Sequence, residues 1–250
     1  MALTFGPGIN IGSGINLTSE IVSTTGSANF VSASSQYLNA TSVSVGTTLS
    51  TYEWWFYLTS LPTSYAGMFN NRGGGTATNG FNVYIDSSGF IYFNSSGGIT
   101  SVLYNGGGAG ISLNTWHHIA INRTSTLNRW SCYIDGVSTS LAQTNTTTNN
   151  TIILGYDPNA SGSAYFNGYI SNFRYVKGVQ VYTGNFTVPT SPLTATQSAG
   201  TNISAITGTQ TQLLLNTVNG AGFLTDSSTF NITVTNNNGV TSSALNPFGL

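Results

Sequence analysis

Trp116-His117-His118-Ile119-Ala120-Ile121, then Tyr133-Ile134-Asp135-Gly136-Val137, then Phe166-Asn167-Gly168-Tyr169-Ile170-Ser171-Asn172-Phe173 decide how this chain folds. Each reads as β-structure, and Asp135-Gly136 supplies the positive φ angles of a tight hairpin turn. Working outward, Trp116–Arg123 and Arg129–Asp135 form a strand pair. Phe81–Asp86 and Phe90–Asn94 flank Ser87-Ser88-Gly89 as a further hairpin, and Thr151–Gly155 and Tyr165–Val176 supply the last long strands. No apolar period of 3.6 residues is sustained anywhere, so helices are not expected.

Together the three stretches resemble the laminin G-like modules of the concanavalin A-like lectin superfamily. Phe30 with Tyr37-Leu38, and Thr51-Tyr52-Glu53-Trp54-Trp55-Phe56-Tyr57, also stand where such modules carry an aromatic, a Tyr-Leu pair and an aromatic strand. The resemblance implies an all-β fold, an antiparallel two-sheet jelly-roll sandwich. It covers roughly residues 26–197 and a displaced tail. In the family's usual order, a segment like Leu213-Leu214-Leu215 with Asp226-Ser227-Ser228 and Thr233-Val234 precedes Phe30; here it follows the rest. The alternatives are a cyclically rearranged module and the opening of a second, unfinished repeat. Closure is preferred, because an unpaired half-sheet would expose Leu213–Leu215 and Phe223 as an apolar edge. The expected organisation is a Gly-rich arm over residues 1–20, a sandwich over 21–200 and a closing segment over 201–250. The arm sets Ile9, Ile11, Ile15 and Leu17 among Gly and Asn, and reads equally as a docking arm or a frayed terminus.

Charge is the compositional anomaly. Only 4% of the 250 residues are Asp, Glu, Lys or Arg, against about 25% in an ordinary globular domain. A hydrophobic content of 39% argues against disorder. Uncharged hydrogen-bonding side chains have replaced the charges, which suits subunit packing, binding of neutral sugars, or both. Five basic residues cannot neutralise many phosphates, which excludes nucleic acid as a partner. No stretch approaches the ~20 apolar residues of a membrane span, and Met1-Ala2-Leu3-Thr4-Phe5 shows no export signal. The single cysteine, Cys132, shares a strand face with Trp130 and Ile134 and reads as a core thiol.

Catalytic signals are lacking. Glycoside hydrolysis needs two carboxylates flanking the scissile bond, and Glu20, Glu53, Asp86, Asp135, Asp157 and Asp226 are scattered. There is no nucleophile elbow. His117 and His118 point to opposite faces of a strand, which argues against joint metal binding; each reads as a structural imidazole. Asp157-Pro158-Asn159-Ala160-Ser161-Gly162-Ser163 resembles the start of a calcium loop, but its twelfth place is Gly168, so a plain Asx-Pro turn is the simpler account. No metal or cofactor is expected.

The best binding candidate is the face carrying Glu53, Trp55 and Tyr57, opposite Tyr52, Trp54, Phe56 and Leu58. A flat aromatic beside a carboxylate is a common sugar-binding combination; the competing reading has this face covered by a loop or a neighbouring subunit. The exit segment Tyr169–Pro189 and the Leu213–Thr235 pattern resemble modules of bacteriophage virion proteins. The resemblance therefore implies a non-enzymatic virion surface protein, a capsid decoration or tail fibre, packing on other virion subunits or on itself. The alternative is a carbohydrate-binding module for host attachment or an extracellular polysaccharide, with a cell-surface glycan as partner.

Overall fold

The computed structural model describes residues 25–72, 80–95, 100–124, 129–139, 149–159 and 164–249; the Gly-rich arm expected over 1–20 lies outside them. Its strands are β1 (Ser27–Phe30), β2 (Tyr37–Ala40), β3 (Ser50–Leu58), β4 (Tyr65–Asn70), β5 (Phe81–Asp86), β6 (Ile91–Ser95), β7 (Thr100–Tyr104) and β8 (Trp116–Arg123). There follow β9 (Trp130–Ile134), β10 (Val137–Thr139), β11 (Ile152–Leu154), β12 (Gly168–Lys177), β13 (Thr211–Leu215), β14 (Val234–Asn237) and β15 (Thr241–Ser243). They form two antiparallel sheets, the two-sheet sandwich expected from the sequence. The eight-stranded sheet runs β10-β9-β8-β3-β12-β1-β15, with β13 also on β12, and the seven-stranded sheet runs β14-β2-β11-β4-β5-β6-β7.

Local chemistry sets the hairpins. Asp135 (φ 50°) and Gly136 (φ 76°) both take the left-handed conformation, so Ile134 pairs directly with Val137 across a two-residue turn. At Ser87-Ser88-Gly89, Asp86 Oδ1 accepts from the Ser88 and Phe90 amides at 2.8 and 2.9 Å and fixes the β5–β6 register.

Alternation then fills the core. Tyr52, Trp54, Phe56 and Leu58 of β3 meet Phe69, Phe81, Val83 and Phe93 from the facing sheet, with Phe69–Phe81 and Phe81–Phe93 stacked at 4.9 and 4.7 Å. Cys132 is fully buried among them. β12 needs a correction to its alternation. The register against β3 slips between Ser171 and Arg174, where Asn172 adopts φ 52°. That extra residue lets Ile170, Phe173 and Tyr175 all point inward. The free edge of β12 is shared end to end, by β1 at Gly168–Ile170 and by β13 at Phe173–Val176.

A second, smaller apolar cluster lies on the outer face of the eight-stranded sheet. Val181, Tyr182, Phe186 and Ile206, from the irregular segment after β12, cover Ala120, Tyr133 and Val176. This cover determines what the sheet can present to a ligand.

Candidate functional site

The cover removes most of the face singled out on β3. Glu53 is fully buried, and both its carboxylate oxygens are engaged. Arg174 donates to Oε1 through Nε at 2.8 Å, the Tyr182 hydroxyl donates to Oε2 at 2.6 Å, and His118 Nε2 stands 3.3 Å from Oε2. Arg174 in turn donates to the Thr194 carbonyl and to Gln197 Oε1, both 2.8 Å away on the covering segment. Burial opposes ionisation of Glu53, but Arg174, His118 and Tyr182 outweigh it and hold the carboxyl at about 2. Trp55 is buried between His118 and Phe248. Of the three residues only Tyr57 stays half-exposed, beside Trp116 and Tyr169. Of the two readings of this face, sugar site or covered surface, the geometry matches the second: a loop covers it, and Glu53 is the anchor of an internal ion network rather than a sugar acceptor.

His117 lies on the core-facing side of β8, against Phe56. Its Nδ1 contacts Asp135 Oδ2 at 2.7 Å, and its Nε2 lies 2.9 Å from Ser112 Oγ and 3.2 Å from the Ser112 carbonyl. Serine, histidine and carboxylate stand in the order of a nucleophilic triad. The second contact ties the same ring nitrogen to main chain, however, and Asp135 Oδ1 is occupied by the His118 amide at 2.8 Å. The arrangement pins the loop before β8 to the β9–β10 turn. Asp157 is also consumed internally. Its carboxylate accepts from Asn70 Nδ2 at 2.7 Å, from Asn82 Nδ2, and from the Asn159 amide at 3.0 Å in an Asx turn. Among the described residues no group of three His, Cys, Asp or Glu side chains could hold a metal ion.

A different face gathers aromatic and amide groups. On the seven-stranded sheet Leu38, Val83, Ile85, Ile91 and Phe93 point into the core, so their neighbours Tyr37, Tyr84 and Tyr92 point out. Tyr84 pairs with Tyr92 across β5–β6 and stacks on it at 5.0 Å; Tyr65 adds a ring 5.7 Å from Tyr84. A second group, Tyr37, Tyr156 and Tyr165, stands on the other side of Gly67, with Tyr156 and Tyr165 stacked at 4.3 Å. The chain at Tyr156-Asp157 crosses directly over Gly67, where any Cβ would strike the Asp157 amide. All six rings are half-exposed.

The adjacent register row carries Asn39, Asn70, Asn82 and Asn94, aligned strand by strand. It is an internal row: Asn70 and Asn82 are fully buried beneath Asp157, and the side-chain carbonyls of Asn39, Asn82 and Asn94 are out of reach of solvent. Burial, with Asp86 close by, raises the Tyr84 and Tyr92 phenols above their usual range, and burial with Tyr165 close by raises Tyr156. These hydroxyls therefore stay protonated donors well into alkaline solution.

At the end of the sheet a cavity of about 280 Å³ opens between the two tyrosine groups, with Tyr65 and Tyr165 on its walls. Leu58, Leu61, Pro62 and Ala66 give it apolar surface, Ser32, Ser60, Thr63 and Asn167 give it polar groups, and no charged side chain lines it. Asn167 is held at both ends: Nδ2 donates to Thr59 Oγ1 at 3.1 Å and Oδ1 accepts from the Ser32 amide at 3.3 Å.

A sequence profile described as the concanavalin A-like lectin/glucanases superfamily matches residues 32–180. No curated protein matches the sequence. Among solved structures, the heptameric SAP-like pentraxin of Limulus polyphemus is similar over 91% of this chain and 99% of its own, at 11% identity and a TM-score of 0.57. A candidate carbohydrate-binding protein of Bacteroides ovatus is similar over 88% of this chain and 60% of its own, at 16% identity and a TM-score of 0.56. At such identities the likeness is one of fold.

Proposed function

The chain belongs to the concanavalin A-like lectin/glucanases superfamily, and on that premise we propose that it is a non-enzymatic carbohydrate-binding module for neutral glycans. The observation that carries this reading is the uncharged cavity between Tyr65 and Tyr165, lined by Asn167 and by Ser and Thr hydroxyls and flanked by two sets of half-exposed tyrosine rings. Flat rings accept the C–H faces of sugars, while amides and hydroxyls hydrogen-bond their hydroxyl groups without the desolvation cost of a charge. From Tyr37 on β2 to Tyr92 on β6 is four strand spacings, about 19 Å, a span suited to an extended oligosaccharide. The description of the Bacteroides ovatus protein as carbohydrate-binding agrees with this choice.

The test is isothermal titration against neutral oligosaccharides chosen from a glycan array, with Tyr84→Ala and Tyr156→Ala. A stacked ring contributes about 0.5–1.5 kcal/mol, so each substitution should weaken binding roughly two- to tenfold. Silence across the array, or binding unchanged in both variants, refutes the reading.

A second reading places the module on a virion surface, as a decoration or fibre part that packs on other subunits. It is favoured by the scarcity of surface charge: of eleven charged residues, Glu53, Arg123, Asp157, Arg174 and Asp226 are buried. Imaging of native particles labelled against this protein tests it, and absence of label from the particle sinks it.

A further inference from the structure

We propose that the cavity beside Tyr65 and Tyr165 is a specificity pocket for the acetamido group of an N-acetylated neutral sugar. The inference rests on the carbohydrate-binding reading and narrows it. Three features of the lining select this chemistry. First, Leu61 and Pro62 at the rim, with Leu58 and Ala66 behind them, give one side of an otherwise polar lining an apolar patch against which a methyl group would pack. Second, Asn167 is fixed in place with Nδ2 directed at Thr59 Oγ1 and, at 3.5 Å, Ser60 Oγ. Its Oδ1 accepts one hydrogen bond, from Ser32, and an amide oxygen has capacity for a second, from an acetamido N–H. Third, the hydroxyls of Ser60 and Thr63 line the same cavity and would donate to the acetamido carbonyl. The absence of any charged lining residue gives a carboxylate or phosphate no counter-ion. Tyr65 and Tyr165 would bracket the sugar ring, and the rest of the chain would run along the tyrosine rows.

One methyl group in an apolar pocket discriminates about 10- to 200-fold, so N-acetylated sugars should outbind their hydroxyl counterparts by at least about tenfold. Saturation-transfer NMR with the methyl glycosides of N-acetylglucosamine, N-acetylgalactosamine, glucose and galactose is the experiment, on the full chain. An N-acetylated sugar should bind with its acetyl methyl the most saturated group, and Ser60→Phe, which plugs the cavity from an exposed rim position, should abolish the preference. Tyr84→Ala lies outside the pocket and should leave that preference intact while weakening neutral oligosaccharides. Equal binding of all four glycosides, acetyl methyls no more saturated than ring protons, or a preference that survives Ser60→Phe overturns the pocket while leaving glycan binding standing. If no glycoside and no array oligosaccharide binds, the parent reading falls as well.

Discussion

Glu53 is a fully buried carboxylate whose two oxygens are held by Arg174 and Tyr182. Beside Trp55 and Tyr57 it reads as a sugar acceptor, yet the fold closes Tyr182 and Arg174 over it. With a folded pKa of about 2 against an ordinary 4.5, the ionised carboxylate contributes stability that is fully present above about pH 4.5. That contribution, on the order of 3 kcal/mol, is lost as pH falls toward 2. Glu53→Gln strands the Arg174 guanidinium without its partner and should cost about 3–5 kcal/mol. Pairing it with Arg174→Met should recover part of that loss. Urea unfolding at pH 7 and pH 3 checks both statements: the Glu53→Gln variant should lack the acid-dependent component, and a variant as stable as the parent would contradict the network. Cys132 gives a second test. Burial pushes its thiol up to about 12, so it should resist iodoacetamide at pH 8 until the protein is unfolded. Rapid labelling of the native chain would mean the strand opens.

Among elements, what could be read from sequence divides by the distance over which a feature is encoded. The β5–β6 and β9–β10 hairpins were legible because turn chemistry and both strands lie within a short stretch. A cover over β3 stood among the readings, but which segment supplies it was not legible, because the chain after β12 has no periodicity; its apolar residues, Val181, Tyr182, Phe186 and Ile206, are scattered among turns. The tyrosine face left a faint trace, since Tyr37-Leu38, Val83-Tyr84-Ile85 and Ile91-Tyr92-Phe93 alternate core residues with tyrosine. Only the strand order β2-β11-β4-β5-β6, which sequence does not specify, makes these rings one surface. Cover and hairpin also depend on each other. The Phe186 amide donates to the Gly136 carbonyl at 3.0 Å, and a Cβ on Gly136 would strike the Phe186 carbonyl. Gly136→Ala therefore adds a backbone clash to the roughly 1 kcal/mol cost of a left-handed L-residue. It should lower thermal stability by more than that figure alone and raise amide exchange across residues 179–188. Exchange confined to the β9–β10 turn would show that the cover docks independently.

At the scale of the molecule, closure depends on strands far from their partners in sequence. β13 completes the edge of β12 beyond β1, β15 pairs with β1, and β14 pairs with β2 in the opposite sheet. Asp226 binds this tail together: Oδ1 accepts from the Leu214 and Ser228 amides at 2.9 Å each, and Oδ2 accepts from Ser228 Oγ at 2.7 Å and the Ile232 amide at 2.8 Å. Leu213 and Leu215 enter the main core, and burying such a side chain is worth about 1.5–3 kcal/mol. Their loss would be compounded by the exposed edges of β1, β2 and half of β12, and a domain is held by only about 5–15 kcal/mol in all. Deleting residues 210–250 should therefore abolish cooperative unfolding and drive aggregation. Asp226→Ala, which keeps the strands but unties the loop, should be milder, at about 1–3 kcal/mol for the donors left unpaired. Scanning calorimetry with light scattering distinguishes the outcomes. A truncated chain that melts as a monomer at the full-length temperature would mean that the sandwich is complete without its tail.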